Sequence, residues 1–120
     1  MPENHKDGGD GTVLLYATFA NAADAERIGG TLVDQGLAAC ANILPAMTAI
    51  YVWQGQRCRD SEAVMIVKTR ASLADTVIAT VRGLHSYENP AIVVLPIVGG
   101  SADFLAWVAI QTRPRSDSSP

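Results

Sequence analysis

A small set of side chains in this chain has the chemistry to hold a metal ion or to move a proton. Cys40 and Cys58 offer thiolates, His85 an imidazole, and Asp60, Glu62 and Glu88 carboxylate oxygens. Copper and zinc favour sulfur and nitrogen donors, so Cys40 and His85, with Glu88 as an oxygen donor, form the preferred metal set. No C-x-x-C, H-E-x-x-H or paired-histidine spacing occurs, so one chain offers no preassembled ligand cluster, and the expected sites are weak ones shared between subunits. The structural alternative for the same residues is a small buried hydrophobe at Cys40 and a hydrogen-bonded loop residue at His85. His85, Glu88 and Lys68 also contain an acid, a base and an anion hold. No glycine-rich phosphate loop, G-x-S-x-G elbow or cofactor fingerprint accompanies them, and a non-enzymatic protein is expected. Tyr51, Trp53 and Tyr87 can wall a small-ligand cleft in which Lys68 favours an anionic group, or they can simply bind subunits together.

One domain must position all of these residues, because 120 residues at 48% hydrophobic content suffice for a single core. A formal net charge of -3 and a charged fraction of 18% leave no basic stripe for a phosphate backbone, which excludes nucleic acid as the expected partner. No run approaches the roughly 18 apolar residues of a membrane span. The opening residues 1–11 carry no apolar segment of a secretory signal, so a cytoplasmic protein is expected. Residues 1–11, with His5, and residues 114–120 read as disordered tails around a folded unit at 12–113, since neither tail can bury enough apolar surface to offset its ordering entropy.

Along that unit, Thr12 to Ala20 reads as a buried central strand. Asn21 caps a helix through Gln35, with Ala25, Ile28, Leu32 and Val33 at helical spacing and Gly36 at its end. Gly29 and Gly30 within it imply close contact with the sheet. Ala38 to Gln54 and Arg57 to Arg70 form a long hairpin around Gly55-Gln56, a pair suited to a type II′ turn. Ser72 with Asp75 makes a capping-box-like start for a helix that buries Leu73, Val77, Val81 and Leu84. Ala91 to Ile97 reads as a buried strand with Pro96 at its end or at a bulge, and Ser101 caps a last helix carrying Phe104, Leu105 and Val108. The order β-α-β-β-α-β plus a C-terminal helix predicts an α+β, ferredoxin-like split βαβ fold with one sheet face uncovered.

The hairpin is too long for the domain that bears it. With Gln54 opposite Arg57, each arm runs to roughly 40 Å at ~3.3 Å per residue. Met47, Ala49, Tyr51 and Trp53 alternate onto one face and Ile50 and Val52 onto the other, so both faces are apolar. The arm either folds back over its own core at Pro45 or finds cover on another copy of the chain, and self-association is the expected outcome. In this register Cys58 faces Trp53, far from Cys40, and no disulfide joins them.

The runs Ala38-Ala39-Cys40-Ala41-Asn42-Ile43-Leu44-Pro45, Tyr51-Val52-Trp53-Gln54-Gly55, Asp60-Ser61-Glu62, Lys68-Thr69, His85-Ser86-Tyr87-Glu88-Asn89-Pro90 and Leu95-Pro96 resemble, in order and spacing, the motif series of the CutA divalent-cation tolerance family. The resemblance covers about Val13 to Thr112. It implies a homotrimer similar in architecture to the PII signalling proteins, with hairpins interlocked around a threefold axis through Met47, Ile50, Tyr51, Val52 and Trp53. It also implies a tie to tolerance of divalent cations, copper especially, and places Cys40 and His85 beside a cleft between subunits. Two expectations follow: weak Cu²⁺ binding through Cys40, His85 and Glu88, or a PII-like sensor or adaptor that takes a metabolite around Trp53, Lys68, His85 and Tyr87, with an unidentified protein or small molecule as its partner.

Overall fold

The computed structural model describes residues 10–112. The expected tails, apart from Asp10 and Gly11, lie outside the described residues, as does His5. The elements are β1 (Thr12–Phe19), α1 (Ala22–Asp34), β2 (Cys40–Trp53), β3 (Gln56–Arg70), a 3-10 turn (Ala71–Leu73), α2 (Ala74–Leu84), β4 (Ile92–Pro96) and α3 (Ala102–Gln111). The four strands form one sheet in the order β2-β3-β1-β4, antiparallel at every pairing. That is the split βαβ order, with the first strand and the third at the centre.

Alternation along β1 decides which face is the core. Val13, Leu15, Ala17 and Phe19 are buried and stand opposite Thr69, Val67, Met65 and Ala63 of β3, which are buried too. α1 and α2 close over this face with Ala25, Ile28, Leu32, Val77 and Val81. Asn21 caps α1 by accepting the Asp24 N–H at 2.8 Å, and Gly36 leaves it at φ 73°, the left-handed conformation that glycine adopts without strain. A Cβ on Gly29 would lie 3.0 Å from the Ala41 Cβ, so this glycine lets α1 touch β2, whereas Gly30 meets nothing within 4 Å.

The opposite face is covered at one end only. α3, capped by Ser101, lies over Lys68 and Arg70: the Lys68 ammonium sits 5.9 Å from the Phe104 ring centre, and Arg70 donates to Thr112 Oγ1 at 3.1 Å. Val108 is fully buried there, while Phe104, Trp107 and Ile110 remain exposed, so the apolar stripe expected at Phe104, Leu105 and Val108 is sealed at Val108 alone. Val33 and Leu84 are exposed as well.

Three local expectations are corrected. The hairpin turns through Gln54-Gly55, at φ 51° and 80°, with Trp53 opposite Gln56. Two successive positive φ values fit a type I′ turn, whose twist matches the strands, so the turn moves by one residue, the cross-strand partners by two, and Cys58 faces Tyr51. Ser72 makes no capping bond; its N–H donates to Asp10 Oδ1 at 3.1 Å, and α2 starts from the 3-10 turn instead. β4 is an edge strand with Val93, Val94 and Leu95 exposed, although Pro96 does end it.

Pro45 does not fold the hairpin back. Leu44 pairs with Val64 and Met47 with Glu62, leaving two residues of β2 against one of β3, which is a β-bulge. The arm continues beyond it and stretches the molecule to 47 × 38 × 22 Å with a radius of gyration of 15.6 Å, against about 13 Å for a compact chain of this length.

Candidate functional site

The bulge also aims side chains. Before it, Ala41 and Ile43 face α1; after it, the added residue brings Met47, Ala49, Tyr51 and Trp53 to the face opposite the helices. Glu62 and Asp60 share that face, paired with Met47 and Ala49. A cleft of about 910 Å³ results, floored by Tyr16 and Thr18 of β1 and walled by the arm, with Tyr87 and Asn89 of the loop after α2 at its rim.

Its charged groups are two carboxylates, each held by a phenol. Tyr51 donates to Asp60 Oδ2, and that bond pushes the Tyr51 pKa up to about 12, because ionisation would place a phenolate against the carboxylate. Tyr87 donates to Glu62 Oε2 at 3.2 Å, and its phenol is raised by burial first and by the Glu62 charge second. Tyr16 lies 3.8 Å from the Met47 sulfur and completes the apolar floor. The groups that define this cleft are therefore aromatic and anionic, and Asp60 and Glu62, which the sequence offered only as secondary oxygen donors, are its charges.

His85 anchors the rim. Its Nδ1 accepts the Tyr87 N–H at 3.0 Å and its Nε2 lies 2.7 Å from the Thr18 carbonyl, so Nε2 carries the proton and donates. The ring stacks on Phe19 at 4.5 Å and meets Tyr87 at 4.8 Å. Both nitrogens already serve the fold, and a metal taken by either one must displace a hydrogen bond.

Cys40 stands elsewhere. It pairs across the sheet with Lys68, whose ammonium is 3.7 Å from the Cys40 sulfur and also donates to Asn42 Oδ1. Lys68 pairs with Leu14 on β1, whereas His85 reaches Thr18, four residues further along that strand, or about 13 Å. One chain thus brings Tyr87, His85 and Glu62 together and Cys40 and Lys68 together, but the two groups stay apart, and Lys68 lies outside the cleft lining. Glu88 is exposed on the rim loop. Among the described residues no three His, Cys, Asp or Glu side chains gather closely enough to hold an ion, so the described donors of one chain do not make a metal site by themselves. Cys40 and Cys58 are both free thiols.

Fold and cleft together define a ferredoxin-like α+β protein with a projecting hairpin and an open aromatic face. Residues 13–111 match the CutA1 divalent ion tolerance protein family, and the chain belongs to that family. Protein CutA 1, chloroplastic, of Oryza sativa is 36% identical over 102 residues, covering 85% of this chain and 58% of that protein. Divalent-cation tolerance protein CutA of Pectobacterium atrosepticum is 32% identical over 84% of this chain and 92% of its own length. The chain thus spans 58% and 56% of the length of the two plant relatives and nearly all of the bacterial one. In structure it is similar to the divalent ion tolerance protein CutA1 of Ehrlichia chaffeensis, with a TM-score of 0.83 and 31% identity over 88% of this chain and 98% of that one.

Proposed function

We propose that this chain acts in divalent-cation tolerance as a homotrimer that binds copper or another divalent ion weakly at sites between subunits, without catalysing a reaction. The observation that carries the reading is the uncovered arm: Ile50, Tyr51, Val52 and Trp53 are 55%, 41%, 69% and 64% exposed in the single chain. Val93 and Leu95 of β4 and Phe104 and Trp107 of α3 are exposed as well, and contiguous exposed apolar patches on soluble proteins mark interaction surfaces. The trimer, as opposed to another ring, rests on family resemblance, as does copper.

Cys40, His85 and Glu88 are the donors put forward. Because one chain keeps Cys40 from His85, the site needs a second copy to bring the sulfur of one to the rim of the other. Calorimetric titration of the trimer with Cu²⁺ is expected to show binding that a Cys40→Ala, His85→Ala double variant loses; unchanged affinity removes those side chains from the site. Placement in the cytoplasm belongs to the same proposal, while the names of relatives include chloroplastic and periplasmic forms.

A second reading has its own support. A cleft with Tyr16, Tyr51, Trp53 and Tyr87 in its lining suits a PII-like sensor of a small molecule. Asp60 and Glu62 would select a cationic compound where the sequence suggested an anionic one. Thermal shift against small amines and anionic metabolites separates these, since a bound ligand raises apparent stability by mass action.

A further inference from the structure

The arm is charged with opposite sign on its two faces. Arg57 and Arg59 stand opposite Val52 and Ile50, so one face presents two guanidinium groups beside two exposed aliphatic side chains. Asp60 and Glu62 alternate with them along β3 and stand on the cleft face with Tyr51 and Trp53. The phenols of Tyr51 and Tyr87 satisfy one oxygen of each carboxylate but bring no positive charge. Among the described residues the ion pairs are Arg27 with Asp24 and Arg70 with Asp10, which leaves all four of these arm charges without an opposite partner.

Resting on the homotrimer reading above, we propose that these faces are the two halves of one subunit contact. The arginine face of one arm lies on the carboxylate face of the next copy, whose cleft is completed by the incoming Arg57 and Arg59. Like-to-like docking brings guanidinium to guanidinium or carboxylate to carboxylate, and both arrangements repel. A contact between unlike faces is heterologous: it runs head to tail, which suits the closed ring of the trimer reading and not a twofold dimer. The aliphatic and aromatic neighbours supply affinity, while the charges set register and reject the wrong pairings. Arginine suits the role because its planar fork can meet a carboxylate with two hydrogen bonds and stack on a tyrosine or tryptophan ring. The cleft offers both kinds of partner within one surface.

Charge reversal in solution tests this. Mass by analytical ultracentrifugation at low salt is followed with dilution for wild type, an Arg57→Glu, Arg59→Glu variant, an Asp60→Arg, Glu62→Arg variant, and the chain carrying all four changes. Each half-reversed variant is expected to dissociate at about tenfold or more higher concentration than wild type, because like charges then meet at every interface. The four-fold variant is expected to reassemble near the wild-type concentration and not to exchange subunits with wild type. Far-UV circular dichroism checks folding, and the milder Arg57→Gln, Arg59→Gln and Asp60→Asn, Glu62→Gln pairs replace any variant that fails to fold, with the same direction of effect expected. Half-reversed or neutralised variants that hold the wild-type dissociation concentration overturn the proposed contact while leaving the trimer intact, as does a folded four-fold variant that stays dissociated. A monomeric wild type removes the trimer itself.

Discussion

The contact between α1 and the base of the arm should reveal itself in two adjacent glycines that respond with opposite sign. A methyl group at Gly29 would meet the Ala41 Cβ at 3.0 Å, the Met65 sulfur at 3.3 Å and Ile43 Cδ1 at 3.5 Å. Ala41 has no side-chain torsion with which to retreat, so relief requires a shift of β2 itself. Replacing a helical glycine with alanine gains about 1 kcal/mol of helix propensity, and overpacking a tight core costs about 1–3 kcal/mol. Gly29→Ala should therefore be neutral to destabilising by about 2 kcal/mol. Gly30→Ala keeps the gain without the clash, since nothing lies within 4 Å, and should stabilise by roughly 0.5–1 kcal/mol. In urea, with slopes of about 1–3 kcal/mol per molar, the two midpoints should differ by about 1 M at equal protomer concentration. Equal stabilisation by both substitutions would refute the seating of α1 on the arm's base.

Three further outcomes follow from single contacts. Thr69 is fully buried and donates to the Leu37 carbonyl at 2.7 Å, so Thr69→Val should cost about 1–3 kcal/mol in denaturant unfolding by orphaning that oxygen. Asp60→Asn should bring the Tyr51 phenol from about 12 back toward its ordinary 10.0 in an ultraviolet titration. Because the folded value is raised, the contribution of this bond is whole below pH 10 and disappears as pH rises through about 12. Gln54→Asn should stabilise the arm, since asparagine accepts the positive φ of this turn position more readily than glutamine does, and an unchanged or lower unfolding midpoint would contradict the type I′ assignment.

The parts of this fold that were legible in the sequence are those fixed by local chemistry. Asn21 and Ser101 cap their helices as their positions suggest, because a cap needs only a side chain and an N–H three residues on. Ser72 carried the same signal and lost to tertiary structure: its N–H is claimed by Asp10, 62 residues away in sequence. The turn slipped by one residue because a single glycine serves the first position of a type II′ turn and the second of a type I′ turn equally well. Ile92 to Pro96 looked buried because its apolar run does not alternate, yet it lies at the sheet edge, where that grease is available to another copy. Asp60 and Glu62 were visible as donors, but their place in an aromatic cleft depends on a bulge at Pro45-Ala46 that shifts the alternation of β2, and no local pattern announces that shift. The distance between Cys40 and His85 is likewise a property of sheet order: one residue sits on the edge strand and the other leans on the centre, at different heights.

The proposal that the arm finds its cover on sister chains is most directly tested by the mass of the wild-type protein in solution. Sedimentation equilibrium at micromolar concentration should return three chains of 12.7 kDa each. A particle holding one such chain, stable and soluble with its arm extended, would contradict it.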